Sequence, residues 1–367
     1  MIDNQVYPDE YEFLDGSTPP LPDNWNNLKE VLAQRRPSLS PSRFSDKRFR
    51  EFKRKDAHAP KEKQVSESVI SIIEGEIGDT KCRSGGIPLT NLDALTDGTL
   101  KPGNPDVYYG ARPEQLNRKV CDNIGGFIIP STQDDLPIAP NFFVAAKGPD
   151  GSLAVASRQA CYDGALGARG MHHLQSYGQD EPLYNHASTV TSIYHGGQLK
   201  MYTSHVTQPS SSEGRPAYHM TQIEGYSMTG NPNAFRQGVA AYRNARDWAK
   251  EQRDDAIRQA NERTYLEAEE AQTVGDDIAV SPASSFVTAV SGTEPHTVSH
   301  NSLTSLNEDF NIQGDFEDRD CSTGELVSKR LSAKGSGNRS SRPRKQLKRI
   351  NTNVTARQSE RLKGTRG

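Results

Sequence analysis

The run Asn141-Phe142-Phe143-Val144-Ala145-Ala146, closed by Lys147-Gly148-Pro149-Asp150-Gly151, constrains the fold of this chain more than any other stretch. An uncharged, largely apolar run bounded by Pro140 and by a strong turn reads as a buried strand. Ser152 follows the turn and is placed to cap a helix. A buried strand that feeds a helix needs strands beside it and helices over it. The expected class is therefore α/β, a mixed sheet flanked by helices.

The flanks supply the other elements. Val65, Val69, Ile72, Ile73 and Ile77 recur at steps of three and four, which marks an amphipathic helix, with Glu67 and Glu74 on another face. Asp106-Val107-Tyr108-Tyr109 is a short apolar run, Pro113 can open a helix, and Phe127-Ile128-Ile129 reads as a further short strand. The helix capped by Ser152 carries Arg158, Gln159, Tyr162 and Asp163. Gly164, Gly167 and Gly170 then recur every third residue. Each weakens a helix by roughly 1 kcal/mol relative to Ala, so they imply either close backbone packing or a helix that ends near Gly164. Ser188–Tyr194 and Leu199–Val206 form a hairpin about Gly196-Gly197, and a third strand spans Ala217–Met228. Asn231 caps a long helix to about Ala268, whose polar half from Lys250 to Arg263 is expected to project.

Charge divides the chain further. The net charge of −3 conceals thirteen Asp/Glu against Arg319 alone between Leu266 and Leu326, then thirteen Lys/Arg against Glu360 alone from Lys329 onward. With 33% apolar and 25% charged residues, part of the chain has no means to build a core. The expected organisation is a disordered or weakly ordered arm over 1–60, one α/β domain over 61–270, an acidic disordered linker over 271–328 and a basic disordered tail over 329–367. Arg342, Arg344, Lys345, Lys348 and Arg349 form a basic cluster suited to a nuclear import receptor, to nucleic acid, or to both. A second basic stretch, Asp46–Lys55 with interleaved Phe49 and Phe52, reads as a solvated helical face or a nucleic-acid contact.

Several chemistries find no support. Cys82, Cys121, Cys161 and Cys321 form no CxxC pair, which argues against a zinc module or a disulfide scaffold and suits a reducing compartment. The histidines lack metal-site spacing, and there is no G-x-S-x-G elbow, P-loop or dinucleotide fingerprint. No signal sequence or membrane-length apolar run is present, so an intracellular, nuclear protein without a membrane partner is expected.

Pro105-Asp106 and the spaced pair Ala145/Lys147 resemble the active-site layout of PD-(D/E)xK nucleases. Residues i and i+2 of a strand share a face, so position 145 and Lys147 point the same way, toward Asp106 if the strands are neighbours. The resemblance implies a restriction-endonuclease-like core that holds Mg²⁺ through carboxylates and positions water through the lysine. It makes Asp106 a metal ligand and Lys147 catalytic, supported by Gln159 and Tyr162 on the next helix as in the RecB-like branch. Ala145 stands where the second carboxylate belongs, and Asp163 is the candidate replacement from that helix. A first-helix glutamate also approaches the metal in many such folds.

Gly110–Leu116, Ile129-Pro130-Ser131, Ala160–His172 and Tyr242–Ala249 further resemble the blocks of an uncharacterised domain family abundant in filamentous fungi, over about residues 60–265. That resemblance implies an acid at position 145 in many members. The expectation is a degenerate site that binds DNA or cleaves it with Mg²⁺, or a fold kept as a non-catalytic binding or scaffold platform.

Overall fold

The computed structural model describes residues 1–209 and 214–276. A seven-stranded mixed sheet runs in the order β1-β7-β6-β5-β4-β3-β2. Its strands are β1 (Val6–Tyr7), β2 (Arg83–Ser84), β3 (Val107–Ala111), β4 (Ile138–Lys147), β5 (Thr189–His195), β6 (Gln198–Thr207) and β7 (Ala217–Ser227). Neighbours are antiparallel except β4 beside β5 and β1 beside β7. Parallel strands need a crossover, and α6 (Leu153–Gln175) supplies it between β4 and β5.

Both faces of the sheet are covered, as the uncharged run in β4 requires. Phe142, Val144 and Ala146 face α1 (Trp25–Ala33), α2 (Asp46–Ala57), the 62–74 helix and α7 (Pro232–Asp276). Phe143 and Ala145 face α6 and the Leu89–Leu95 segment. The 62–74 helix runs as α3 (Glu62–Gln64), a π-helical stretch (Val65–Ile70) and α4 (Ser71–Glu74), and α5 (Arg118–Ile128) closes one end. Helix α6 does not stop at Gly164. A Cβ at Gly167 would come within 2.6 Å of the Phe143 ring, and one at Gly164 would strike Ser204 Oγ, so the glycines let the helix sit deep on the sheet.

Three expectations fail. Residues 1–60 are no loose arm: Leu28, Leu32, Phe49 and Phe52 enter the core, and β1 pairs with β7. Their apolar side chains are sparse because each short helix buries a single stripe. Phe127 and Ile128 end a helix rather than form a strand, since α5 buries Val120 and Ile128 about two turns apart on one face. The polar half of α7 does not project either. Ala256, Ile257 and Ala260 pack against Val120, Met171 and Leu174, and the buried Arg253 donates to Asn141 Oδ1 at 2.6 Å. None of the described helices is long and apolar enough to cross a membrane. The 329–367 tail and most of the acidic linker lie outside the described residues, and so do Arg342, Arg344, Lys345, Lys348 and Arg349.

Candidate functional site

Asp106 stands just before β3, and its backbone N–H donates to the Val144 carbonyl. Its carboxylate accepts from the Ala146 N–H at 2.8 Å, which ties it to the end of β4. Lys147, the last residue of β4, is buried and places its Nζ 2.6 Å from Glu62 Oε1 and 3.9 Å from Asp106 Oδ2. Glu62 is the first residue of α3, and the backbone at Lys61 and Glu62 lies against Gly148 just past the strand.

Asp163 approaches from α6. It is fully buried, and its Oδ1 has no hydrogen-bond partner among the described residues. The Gly103 backbone passes directly over that oxygen, so closely that a Cβ there would collide with it. Gln159 Nε2 holds the same loop by donating to the Asn104 carbonyl at 2.7 Å.

The electrostatics follow from burial. Loss of water, aided by the charge on Asp106 and opposed by that on Lys147, pushes the Asp163 carboxyl up to about 8. Burial also lifts Asp106 to about 6, opposed by the Ala146 N–H and Lys147 and reinforced by Glu62. Three carboxyl groups thus share one ammonium. Protonation relieves the imbalance at neutral pH, and a divalent cation would relieve it better. The donors are hard oxygens, as Mg²⁺ prefers, and Asp163 Oδ1 has no hydrogen-bond partner among the described residues. As they stand, no three His, Cys, Asp or Glu side chains among the described residues are arranged to hold a metal ion. Side-chain rotation about Lys147 would have to accompany binding.

Asp106, Lys147 and Asp163 are therefore brought together, with Gln159 as a loop tether. Tyr162 is not. It lies in the apolar layer beneath α6, and no hydrogen bond among the described residues joins it to the acids. Ala145 faces the same layer. The first-helix glutamate at the site is Glu62, not Glu67 or Glu74. Glu67 is exposed beside Lys63, whereas Glu74 is buried and accepts from Arg83 and from the Tyr109 hydroxyl at 2.6 Å. Glu62 carried only a weak sequence signal, because an acid in a first helical turn is ordinary. Arg112 is paired with Asp79 and Arg169 donates to the Asp93 carbonyl, whereas Arg158 on α6 is exposed.

A cleft of about 850 Å³ opens beside the cluster, between the 62–74 helix and the 83–86 segment. Glu62 and Asp106 line one part of it, and Glu74 and Arg83 another. A Cβ at Gly85 would strike the Asp106 carbonyl, so the wall approaches Asp106 as only glycine allows.

Residues 61–261 match the family described as a domain of unknown function, DUF7924. The chain belongs to that family. The matched span takes in all four members of the cluster, Glu62, Asp106, Lys147 and Asp163, and stops within α7. It leaves out α1 and α2, although both pack into the same core. No curated protein and no solved structure matches the chain.

Proposed function

We propose that this domain is a restriction-endonuclease-like module that engages the phosphodiester backbone of DNA at a Mg²⁺ site. The observation that carries the reading is the unpartnered buried oxygen of Asp163 beside Asp106 and Lys147. The chain order supports it as well. A helix is followed by the antiparallel strands β2, β3 and β4, with α5 between the last two, then by the crossover helix α6 and the parallel strand β5; Asp106 adjoins the start of β3 and Lys147 ends the neighbouring β4.

Asp106 and Asp163, with Glu62, would hold the cation. Bound there, it would neutralise phosphate charge and acidify water. Lys147 is buried beside two of these carboxylates, and once they turn to the cation its ammonium would be free to donate to a phosphate oxygen or a water. The Ala146 N–H holds Asp106 in place, and Gln159 holds the loop over Asp163. The basic cluster Arg342–Arg349 would serve import to the nucleus or add DNA contacts.

Ala145 and the absence of a preformed three-ligand cage among the described residues favour a second reading, a platform that binds without cleaving. Calorimetric titration of Mn²⁺ and Mg²⁺ into the full chain separates the two. We expect one site, lost in both Asp106→Asn and Asp163→Asn. No heat in the native chain would overturn the metal site and leave the platform.

A further inference from the structure

Helix α2 carries six basic residues, Lys47, Arg48, Arg50, Lys53, Arg54 and Lys55, and all six are exposed. Its three acids do not neutralise them. Asp46 is engaged by Arg236 and Asp56 accepts from the Tyr194 hydroxyl at 2.6 Å, which leaves Glu51 as the acid on the outward face. No ion pair within the described residues engages any of the six. Phe49 and Phe52 pin the opposite face into the core, with Phe52 and Phe235 ring centroids 4.3 Å apart. The cations therefore ride on a helix that cannot roll.

The position of α2 links it to the acidic cluster. Tyr194, which anchors Asp56, pairs across the sheet with Ala146, and Ala146 donates to Asp106. Residues 58–61 then lead from the end of α2 directly to Glu62. Lys47, Arg50 and Arg54 stand at i, i+3 and i+7 on one stripe. At 1.5 Å per residue they cover about 10 Å, or about three phosphates of one strand at 3.4 Å each.

We propose that the outward face of α2 is the docking track for the phosphate backbone of duplex DNA, which it guides toward the Glu62/Asp106/Lys147/Asp163 cluster. The destination rests on the function proposed above, whereas the track itself needs no metal. A straight row of fixed cations matches the regular phosphates of a duplex better than a flexible single strand.

The test is fluorescence anisotropy of a labelled duplex with the full chain in EDTA, over a salt series. The triple variant Lys47→Gln/Arg50→Gln/Arg54→Gln is expected to weaken binding and to lower the slope of log K against log salt by about 2.7, at about 0.9 per phosphate contact. Any contribution of residues 329–367 is common to both proteins and cancels in the difference. Glu51→Gln is expected to tighten binding, which a folding defect would not do. An unchanged slope in the triple variant overturns the track, even if Mn²⁺ still binds at Asp106. Failure of Mn²⁺ to bind, with the slope still reduced, removes the metal site and keeps the track. A triple variant that loses affinity for phosphatidylserine vesicles, or for single-stranded RNA, but not for duplex DNA also overturns it.

Discussion

Asp163→Asn should make the protein less sensitive to rising pH. Burial lifts the Asp163 carboxyl from its ordinary value near 3.8 to about 8 in the fold, so the folded chain holds this proton more tightly than the unfolded chain. The stability linked to that proton is complete below the unfolded value. It is lost as pH climbs through the window between the two and is gone above about 8. At 1.36 kcal/mol per pKa unit the full loss is about 6 kcal/mol, comparable with the whole stability of a modest domain.

Inside the window the native chain should lose about 1.4 kcal/mol per pH unit from this group. The asparagine variant keeps the neutral shape and loses none of it. Urea unfolding of both full chains at about pH 5 and about pH 7 should open a gap of roughly 3 kcal/mol in favour of the variant at the higher pH, or about 1 M urea at an m-value near 3 kcal/mol/M. The lowered histidines, His205 and His219 among them, act alike in both chains and drop out of the difference. Added Mn²⁺ should restore alkaline stability to the native chain and leave the variant unmoved, since a bound cation favours the ionised carboxylate. Parallel stability–pH curves would refute the buried, orphaned carboxyl and with it the case for a cation there.

Three further substitutions probe the frame around the site. Gly167→Ala gains up to about 1 kcal/mol of helix preference but forces a methyl within 2.6 Å of Phe143, so a net loss of about 1–2 kcal/mol is expected; a rise in Tm would contradict the close approach of α6. Tyr109→Phe removes a 2.6 Å hydrogen bond to the buried Glu74 and should cost about 1.5–3 kcal/mol by urea unfolding, while a neutral result would mean that Arg83 alone satisfies that carboxylate. Phe52→Ala should cost about 3–5 kcal/mol, as for any core aromatic, and a cost below about 1 kcal/mol would show residues 1–60 to be peripheral after all.

What the sequence disclosed follows from where side-chain periodicity is strong. β4, the β5–β6 hairpin and the 62–74 helix were legible because each buries a dense, regular apolar set. Phe127-Ile128-Ile129 misled because a short apolar run fits a strand and a helix end equally well. The second half of α7 reads as polar since few of its buried residues are large and apolar, and one is an arginine that donates to Asn141. At the site, strand alternation brought Asp106 and Lys147 together, and helical spacing placed Asp163. It also separated Tyr162 from Gln159. Positions i+3 and i+4 diverge by about 100°, and Asp163 took the site side while Tyr162 took the core.

The smallness of Ala145 and the burial of Asp163 have a common mechanical cause. Ala145 packs in the layer that also holds Ala156 and Ala160 of α6, so the helix meets the sheet through its smallest side chains. Gly164 and Gly167 deepen that contact, and the first of them directly follows Asp163. The carboxyl is thus carried inward by a helix whose depth is set by its neighbours and not by the acid. It cannot swing to water, because the Gly103 loop closes over it and Gln159 pins that loop. An acid at position 145 would need the space that now lets α6 descend. A fold that holds an unpaired buried carboxyl so rigidly bears a standing cost, which is the pattern expected where a local rule is broken for the sake of a site.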